Sequence, residues 1–498
     1  MSTAERPLRS QRVKSGFALG LVSRIVRFLT SLVLARAIIL KFGSETWGIL
    51  ALSLAVEDLG VVLDFAIHEL SLYEAAAAGS REEAQRSLDQ ALVLSLVPAA
   101  LGTVALLGCA AAAARGIGFA PDYAGPALAS LFLAAAVSYP FLIVSKVYWG
   151  TIQGFGWIRE LNVWVLATLV LDLLVVILGL EAGLGIVEIQ WARAALAPLA
   201  LVSLLFTVGK LGLPRARFSW PDRARLRPML RYAVSYNVNR SLGVAVASIN
   251  APIAQLFVPA AHLGGFGAAD QWANKLRKFT DVAWESMFHR FVRCFREGAS
   301  PEEREDGRLQ FLAVSLFMNL LLVPAGVILI LVSPWLFRHW LDAEKAVLPL
   351  ALLPGLVAAW TLNAACSPLT WVVMAANRFA ASARIHVAVV IVNLALTVAL
   401  TRARGIAGTV EAMAISNALL AALLSVAACR ISGASWWRFL RSNSVPYAVA
   451  LIVLFARERF QTPWAPWAAG ALSLGASLAV ATQARSFRSM REILGSAR

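Results

Sequence analysis

Fourteen apolar stretches follow one another along this chain. They run 16–41, 47–76, 90–114, 125–153, 161–180, 185–208, 232–258, 264–289, 310–337, 346–375, 382–401, 406–429, 444–457 and 464–482. A helix needs about 20 apolar residues to cross the hydrocarbon core of a bilayer. All the stretches but 444–457 have about that length. In lipid every backbone N–H and C=O must be satisfied within the segment or in a closed barrel. Long unbroken apolar runs therefore read as helices, and the chain as an all-α polytopic membrane protein with about fourteen transmembrane helices. The composition agrees, with 59% hydrophobic and only 15% charged residues among 498. That is too little polar surface for a soluble chain of this size.

The net charge of +16, spread over a soluble chain, would suggest nucleic acid. Here the basic residues gather in short loops between spans, which marks the cytoplasmic side. With the N-terminus inside, and residues within three positions of a span end counted with the adjoining segment, the inside segments hold 28 of the 45 Lys and Arg, the outside segments 8 and the spans 9. Both termini are then cytoplasmic and the number of spans is even. No nucleic-acid partner is expected. Trp47, Trp157, Trp220, Trp340, Trp436 and Trp464 fall near span ends, as interfacial indoles do. The first stretch is too long for a signal-peptide core and no small-residue cleavage site follows it, so it reads as a retained helix. Cys109, Cys294, Cys366 and Cys429 show no disulfide or zinc spacing and read as core residues.

The richest basic loop, residues 210–231, contains Pro214, Pro221 and Pro228 and reads as a linker between halves. A repeat supports this. Phe42-Gly43 corresponds to Gly264-Gly265, Asp172 to Asn393, and Gly183 and Gly185 to Gly405 and Gly408, at a nearly constant offset. The expected organisation is a six-helix lobe at 1–222, a pseudo-symmetric second lobe at 223–430, and two further helices with a cytoplasmic tail at 431–498. Repeats about an axis along the membrane normal are a transporter signature, with the substrate path between them.

The first span carries Arg24 and Arg27, one turn apart on one face. A charge at such depth costs several kcal/mol unless it faces water, a partner or an anionic ligand. Arg36 lies nearer the far end and can snorkel. Span seven opens with Tyr232, Tyr236, Asn237, Asn239 and Arg240, and Asn237 and Arg240 share a face. Span four holds Lys146, span six Arg193, and span eight Lys275, Arg277 and Lys278. Arg24, Arg27, Lys146, Arg240 and Lys275, drawn from both lobes, point to a central basic cavity. Guanidinium groups bind phosphate oxygens in bidentate fashion, so such a cavity suits a phosphate-bearing substrate. Asn237 and Arg277 complete the candidate substrate-binding set.

Acidic residues are the other anomaly. On a continuous helix Glu57, Asp64 and His68 of span two fall close together, with Asp58 and Glu69 further round. Such a face serves either as counter-charge for arginines or as a cation or proton site. In span eight Asp270, Asn274, Arg277, Asp281 and Glu285 share a face. That face is either a salt-bridge ladder or the wall of a wet cavity. Glu57, Asp58, Asp64, Asp270 and Asp281 are the candidate ion-coupling residues. No catalytic or metal site is expected. The phosphate-binding glycine loop GxxxxGK[ST] is missing, and His68-Glu69 begins like HExxH but meets Leu72 where the second histidine would stand.

Several short motifs carry a resemblance. They are Phe42-Gly43 with Trp47-Gly48, Glu57-Asp58-Leu59-Gly60, the loop Gly79-Ser80-Arg81-Glu82-Glu83, Gly264-Gly265-Phe266-Gly267-Ala268-Ala269, Asn377-Arg378, Asn393, and Gly405-Ile406-Ala407-Gly408. With them the chain resembles polysaccharide transporters, the Wzx-type flippases of the MOP superfamily, which also includes MATE exporters and lipid II flippases. The likeness covers about residues 10–430. It implies a MATE-like fold of two six-helix lobes plus two helices. It also implies a substrate, an undecaprenyl-diphosphate-linked oligosaccharide for O-antigen, lipopolysaccharide or exopolysaccharide, turned across the bacterial inner membrane. Alternating access coupled to H+ or Na+ comes with it, and no other cofactor. The implied partners are membrane lipid, a polysaccharide polymerase and chain-length proteins. Lipid II flippases carry functional arginines in the first helix, where Arg24 and Arg27 stand. The alternatives are a MATE-like multidrug exporter, a lipid II flippase, or a membrane-embedded glycosyltransferase or polymerase. Against the last stand the absence of a large loop and the internal repeat.

Overall fold

A computed structural model describes residues 5–77, 80–212, 234, 237–239, 241–246, 248–278, 291–295 and 298–460. These residues contain helices and no strand. They divide between two compact units, Met1–Gly264 and Gly265–Arg498. Residues 213–231 of the expected linker, the expected lobe boundary within them, and the fourteenth span lie outside the described residues.

The first unit opens with α1 (Glu5–Leu59), which carries the first span and half of the second. Gly43 divides it into two arms, at φ 89° and ψ 168°. That conformation is essentially confined to glycine, so Phe42-Gly43 fixes the corner between spans. The helix starts earlier than the predicted 16. The basic residues before Gly16 lower local hydropathy without interrupting the helix. A 3-10 turn (Gly60–Leu63) and α2 (Ile67–Ala77) complete the second span. Then come α3 (Arg81–Ala114), α4 (Pro126–Gly154), α5 (Ile158–Glu181), α6 (Ile186–Lys210), the short α7 (Asn250–Ala254) and the start of α8 (Ala260–Ala273). Ser80 caps α3 by accepting from the Glu83 N–H at 3.1 Å, which sets the start of the helix in the polar loop. Helix α4 is central, packed on α2, α3 and α6. Residues after α7 stay with this unit because the Gln255 side chain receives the Ala120 N–H at 2.9 Å and Tyr123 Oη donates to the Val258 carbonyl at 3.0 Å.

The second unit contains the rest of α8, then α9 (Pro301–Trp340), α10 (Ala343–Ala375), α11 (Phe379–Arg404), α12 (Ile406–Ser432) and α13 (Trp436–Phe460). A capping box of Ser300 and Glu303 opens α9. Its polar first turns extend the helix beyond the apolar span 310–337 read from sequence.

Eight of the described helices are long and apolar enough to cross a membrane. They match the predicted spans three to six and nine to twelve. Their packing is that of membrane helices. Helix α5 buries only Leu161, Trp164, Val176 and Gly179, and leaves Leu178 and Val163 exposed. In water such a surface would aggregate; in lipid it costs nothing. Helix α11 turns a mostly polar stripe inward instead, with Ser382, His386, Asn393, Thr397 and Thr401 buried. Thr401 Oγ1 meets Thr409 Oγ1 at 2.8 Å, and Asn363 donates to Asn417 at 2.8 Å. Small polar side chains thus join helices that have no hydrophobic reason to associate. The chain is an all-α, multi-pass membrane protein.

Helix α13 is longer than the predicted 444–457, because Arg438, Arg441 and Asn443 depress hydropathy in its first turns. Its register on α9 is set by polar groups. Asn319 Nδ2 donates to Asn443 Oδ1 at 2.7 Å, Tyr447 Oη donates to Asn319 Oδ1 at 3.1 Å, and Phe311 stacks on Phe439 at 5.4 Å. Asn319→Leu strands both partners. It should destabilise the protein by about 1–3 kcal/mol and lower its thermal unfolding midpoint in detergent. An unchanged midpoint would mean that α13 is held by apolar packing alone.

Candidate functional site

Among the described residues, acidic and basic side chains inside the spans come together at three places, two in the first unit and one in the second. The first is a break in span two. The second arm of α1 ends at Leu59, and after the 3-10 turn Phe65 and Ala66 take φ of 50° and 51°. Left-handed backbone costs residues other than glycine roughly 1–2 kcal/mol each. Neighbours compensate. Asp64 Oδ1 accepts the Ala66 N–H at 2.9 Å, and the Asp64 carbonyl accepts from Ile67 N at 3.2 Å, which starts α2. Asp64 Oδ2 takes Lys146 Nζ at 2.7 Å, with the Asp64 side chain 1% exposed and Lys146 23%. Tyr139, two turns before Lys146 on α4, donates to the Gly60 carbonyl at 3.0 Å. Gly102 makes room for that ring, since a Cβ there would lie 2.0 Å from it. One face of α4 therefore pins both ends of the break.

This corrects the reading of span two. Glu57, Asp64 and His68 do not share one helical face, because the helix between them is interrupted. Asp64, expected to couple an ion, and Lys146, expected to bind substrate, are partners of each other. His68 lies beside them, its Nδ1 3.4 Å from the Lys146 carbonyl.

The second place is a cavity of about 250 Å³ between the second arm of α1, α4, α5 and α6. Glu57, Ser138, Thr168, Asp172, Gln190 and Arg193 supply its polar wall. The Arg193 guanidinium binds Asp172 in a fork, Nε to Oδ1 at 2.7 Å and Nη2 to Oδ2 at 3.0 Å. Its Nη1 donates to Gln190 Oε1 at 2.9 Å. Glu57 Oε1 accepts from Ser53 Oγ at 3.0 Å, and Asp58 is exposed. From sequence, Asp172 served only as a repeat marker and Arg193 as an isolated base. Their pairing had a signal: the two lie at similar distances either side of the Gly183 turn, hence at similar depth.

In the second unit Asp270 accepts from Trp360 Nε1 at 2.6 Å and from Asn274 Nδ2 at 3.0 Å. Lys275 Nζ reaches Gln271 Oε1 at 3.4 Å, and Arg277 sits 5.9 Å from the centre of the Trp360 ring. Helix α8 ends at Ala273 and Asn274 is a turn residue, and the part of the predicted face at Asp281 and Glu285 lies outside the described residues.

The remaining candidates are placed as follows. Arg27 and Arg36 are exposed on the first arm of α1 and Asn237 is buried. The Arg24 side chain, Arg240 and Asp281 lie outside the described residues. Among the described residues no three His, Cys, Asp or Glu side chains come together as a metal site.

The arrangement of helices is similar to that of solved transporters of the MOP superfamily. No protein-family model matches the chain, and no curated protein matches it. Solved structures do. A lipid II flippase, MurJ, in an inward closed conformation superposes with a TM-score of 0.67 at 14% identity, over 94% of this chain and 98% of that one. An inward-facing multidrug resistance MATE family transporter of the MOP superfamily superposes at 0.66 and 15% identity, over 83% and 98%. A eukaryotic MATE transporter gives 0.58 and 13%, over 87% and 98%. At these identities the likeness is one of fold.

Proposed function

We propose that this chain is a flippase that turns an undecaprenyl-diphosphate-linked oligosaccharide from the cytoplasmic to the outer leaflet of a bacterial inner membrane. It performs no covalent chemistry. It works by alternating access coupled to an ion gradient, beside the polymerase and chain-length proteins that use its product. The observation that carries the reading is Arg27. It lies in the middle of the first span read from the sequence, about 24 Å along the helix from Gly43, and its side chain is exposed. A guanidinium at that depth needs polar company; whatever contacts it makes within the protein, it repels a cationic drug and suits a diphosphate in fork geometry. The MOP-type fold supports the same reading. Arg24, one turn earlier, is assigned the same role, with Arg240, Asn237, Lys275 and Arg277 as further ligands.

The test is glycan export in a flippase-null bacterium, with protein level monitored. A charge-assisted hydrogen bond is worth about 1.5–3 kcal/mol, so Arg27→Ala should slow export by about tenfold or more. Arg27→Lys, which keeps charge and loses the fork, should fall between. Normal export by expressed Arg27→Ala removes the phosphate-binding role. A wild-type chain that exports no glycan but extrudes a cationic dye would instead be a MATE-like exporter.

A further inference from the structure

The cavity of the first unit holds a cation of its own. Arg193 satisfies both Asp172 oxygens, at 2.7 and 3.0 Å, and the Gln190 amide oxygen at 2.9 Å. One Glu57 oxygen takes the Ser53 hydroxyl. The hydroxyls of Ser138 and Thr168 donate to the carbonyls of Ala135 and Val165 at 3.0 and 2.9 Å. Few oxygens are left to surround a metal cation, and a hard cation needs several. The guanidinium would also repel it. A proton needs one oxygen only, and Glu57 has one to offer.

The charges facing Glu57 can be named for each neighbouring element. Its own arm supplies Asp58, α6 supplies Arg193 and α5 supplies Asp172. Helix α4 lines the cavity with the Ser138 hydroxyl and apolar side chains, and its Lys146 is engaged by Asp64. With Glu57 ionised, Glu57, Asp172 and Arg193 leave one negative charge in excess. One proton brings the three to neutrality, the state that a low-dielectric interior favours.

We propose that Arg193 is a built-in cation that reserves this cavity for protons: Glu57 takes up and releases a proton there, and alkali cations are excluded. The step adds one proton to the Glu57 carboxylate and changes no other bond. The assignment names the coupling ion, and in that respect it rests on the ion-coupled flippase reading above. Arg193 is a specificity-determining residue in it, and Glu57 the exchanging one.

The experiment uses full-length protein in nanodiscs of phosphatidylethanolamine and phosphatidylglycerol. Thermal midpoints are measured as NaCl replaces choline chloride at constant ionic strength. Infrared difference spectra follow the protonated carboxyl band across pH. Wild type should show no Na+-specific stabilisation, and a titrating carboxyl band that Glu57→Gln lacks. Arg193→Gln, with Asp172 released, should respond to Na+ at concentrations on the order of tenfold below any wild-type response, within the usual span of coupling between sites. Arg193→Lys should stay insensitive. A wild-type Na+ response that Glu57→Gln abolishes overturns the proposal. So does a titrating band that survives Glu57→Gln, or a folded Arg193→Gln without Na+ response. If Arg193→Gln does not fold, the wild-type and Glu57→Gln measurements still decide. These readouts involve no transport, so a failed flippase assignment would show separately, as absent glycan export.

Discussion

Alanine at Gly48 or at Gly264 is expected to leave little folded protein. The second arm of α1 crosses α8 at these two glycines. A Cβ on Gly48 would lie 2.0 Å from the Ala260 carbonyl oxygen, and one on Gly264 would lie 1.9 Å from the Ser44 carbonyl oxygen. Carbon and oxygen in contact stay about 3.3–3.6 Å apart. The obstructing atoms are backbone, so no rotamer change relieves the clash. The helices must separate by more than 1 Å, and each alanine thereby loses the close packing that holds membrane helices together. Overpacking costs about 1–3 kcal/mol where side chains can yield; here they cannot, and the cost should exceed that range. Gly108, in α3, meets nothing within 4 Å. Gly108→Ala should be neutral or slightly stabilising, by the helix propensity of alanine. Size-exclusion profiles and thermal midpoints of the three variants test this. Wild-type midpoints for Gly48→Ala and Gly264→Ala would mean that the crossing is looser than its backbone distances.

The two glycines show what a sequence makes legible. Trp47-Gly48 and Gly264-Gly265 were visible as motifs, and the corner at Phe42-Gly43 was visible as a boundary. That Gly48 and Gly264 meet is a tertiary fact which spacing does not contain. The spans were legible because lipid demands long apolar helices, and the MOP-type fold was what the resemblance carried by the short motifs implied. The break at 60–66 was not. Its residues, GVVLDFA, are apolar enough to pass for unbroken helix, and the left-handed turns of Phe65 and Ala66 are imposed by Tyr139 and Lys146, some 80 residues on. Charged residues were legible as anomalies, but not their pairing. Asp64 and Lys146 were assigned to different tasks, and Asp172 and Arg193 to none. Inside a membrane each charge must find a partner, and topology alone decides which.

The Asp64–Lys146 pair carries the second large effect. Breaking a buried ion pair on one side costs about 3–5 kcal/mol, because the remaining charge stays buried without its partner. The two sides are unequal here. Asp64 is 1% exposed and Lys146 23%, so Lys146→Met, which strands the deeper carboxylate, should be worse than Asp64→Asn. In Asp64→Asn the side-chain oxygen can still accept the Ala66 N–H, and the more exposed ammonium keeps part of its access to solvent. Lys146→Met should therefore lower the thermal midpoint most, Asp64→Asn less, and Asp64→Asn/Lys146→Met should recover most of the loss, since neither charge remains. The double-mutant cycle yields the coupling directly. Export by the recovered double variant then separates two roles for Lys146. If the pair serves to hold the broken helix, the double variant should export glycan within about threefold of wild type, less than the roughly tenfold loss expected when one charge-assisted contact to substrate goes. A stable double variant that fails to export would return Lys146 to the substrate-binding set. Wild-type midpoints in both single variants would mean that the break stands without the pair, held by Tyr139 and the backbone turn at Asp64.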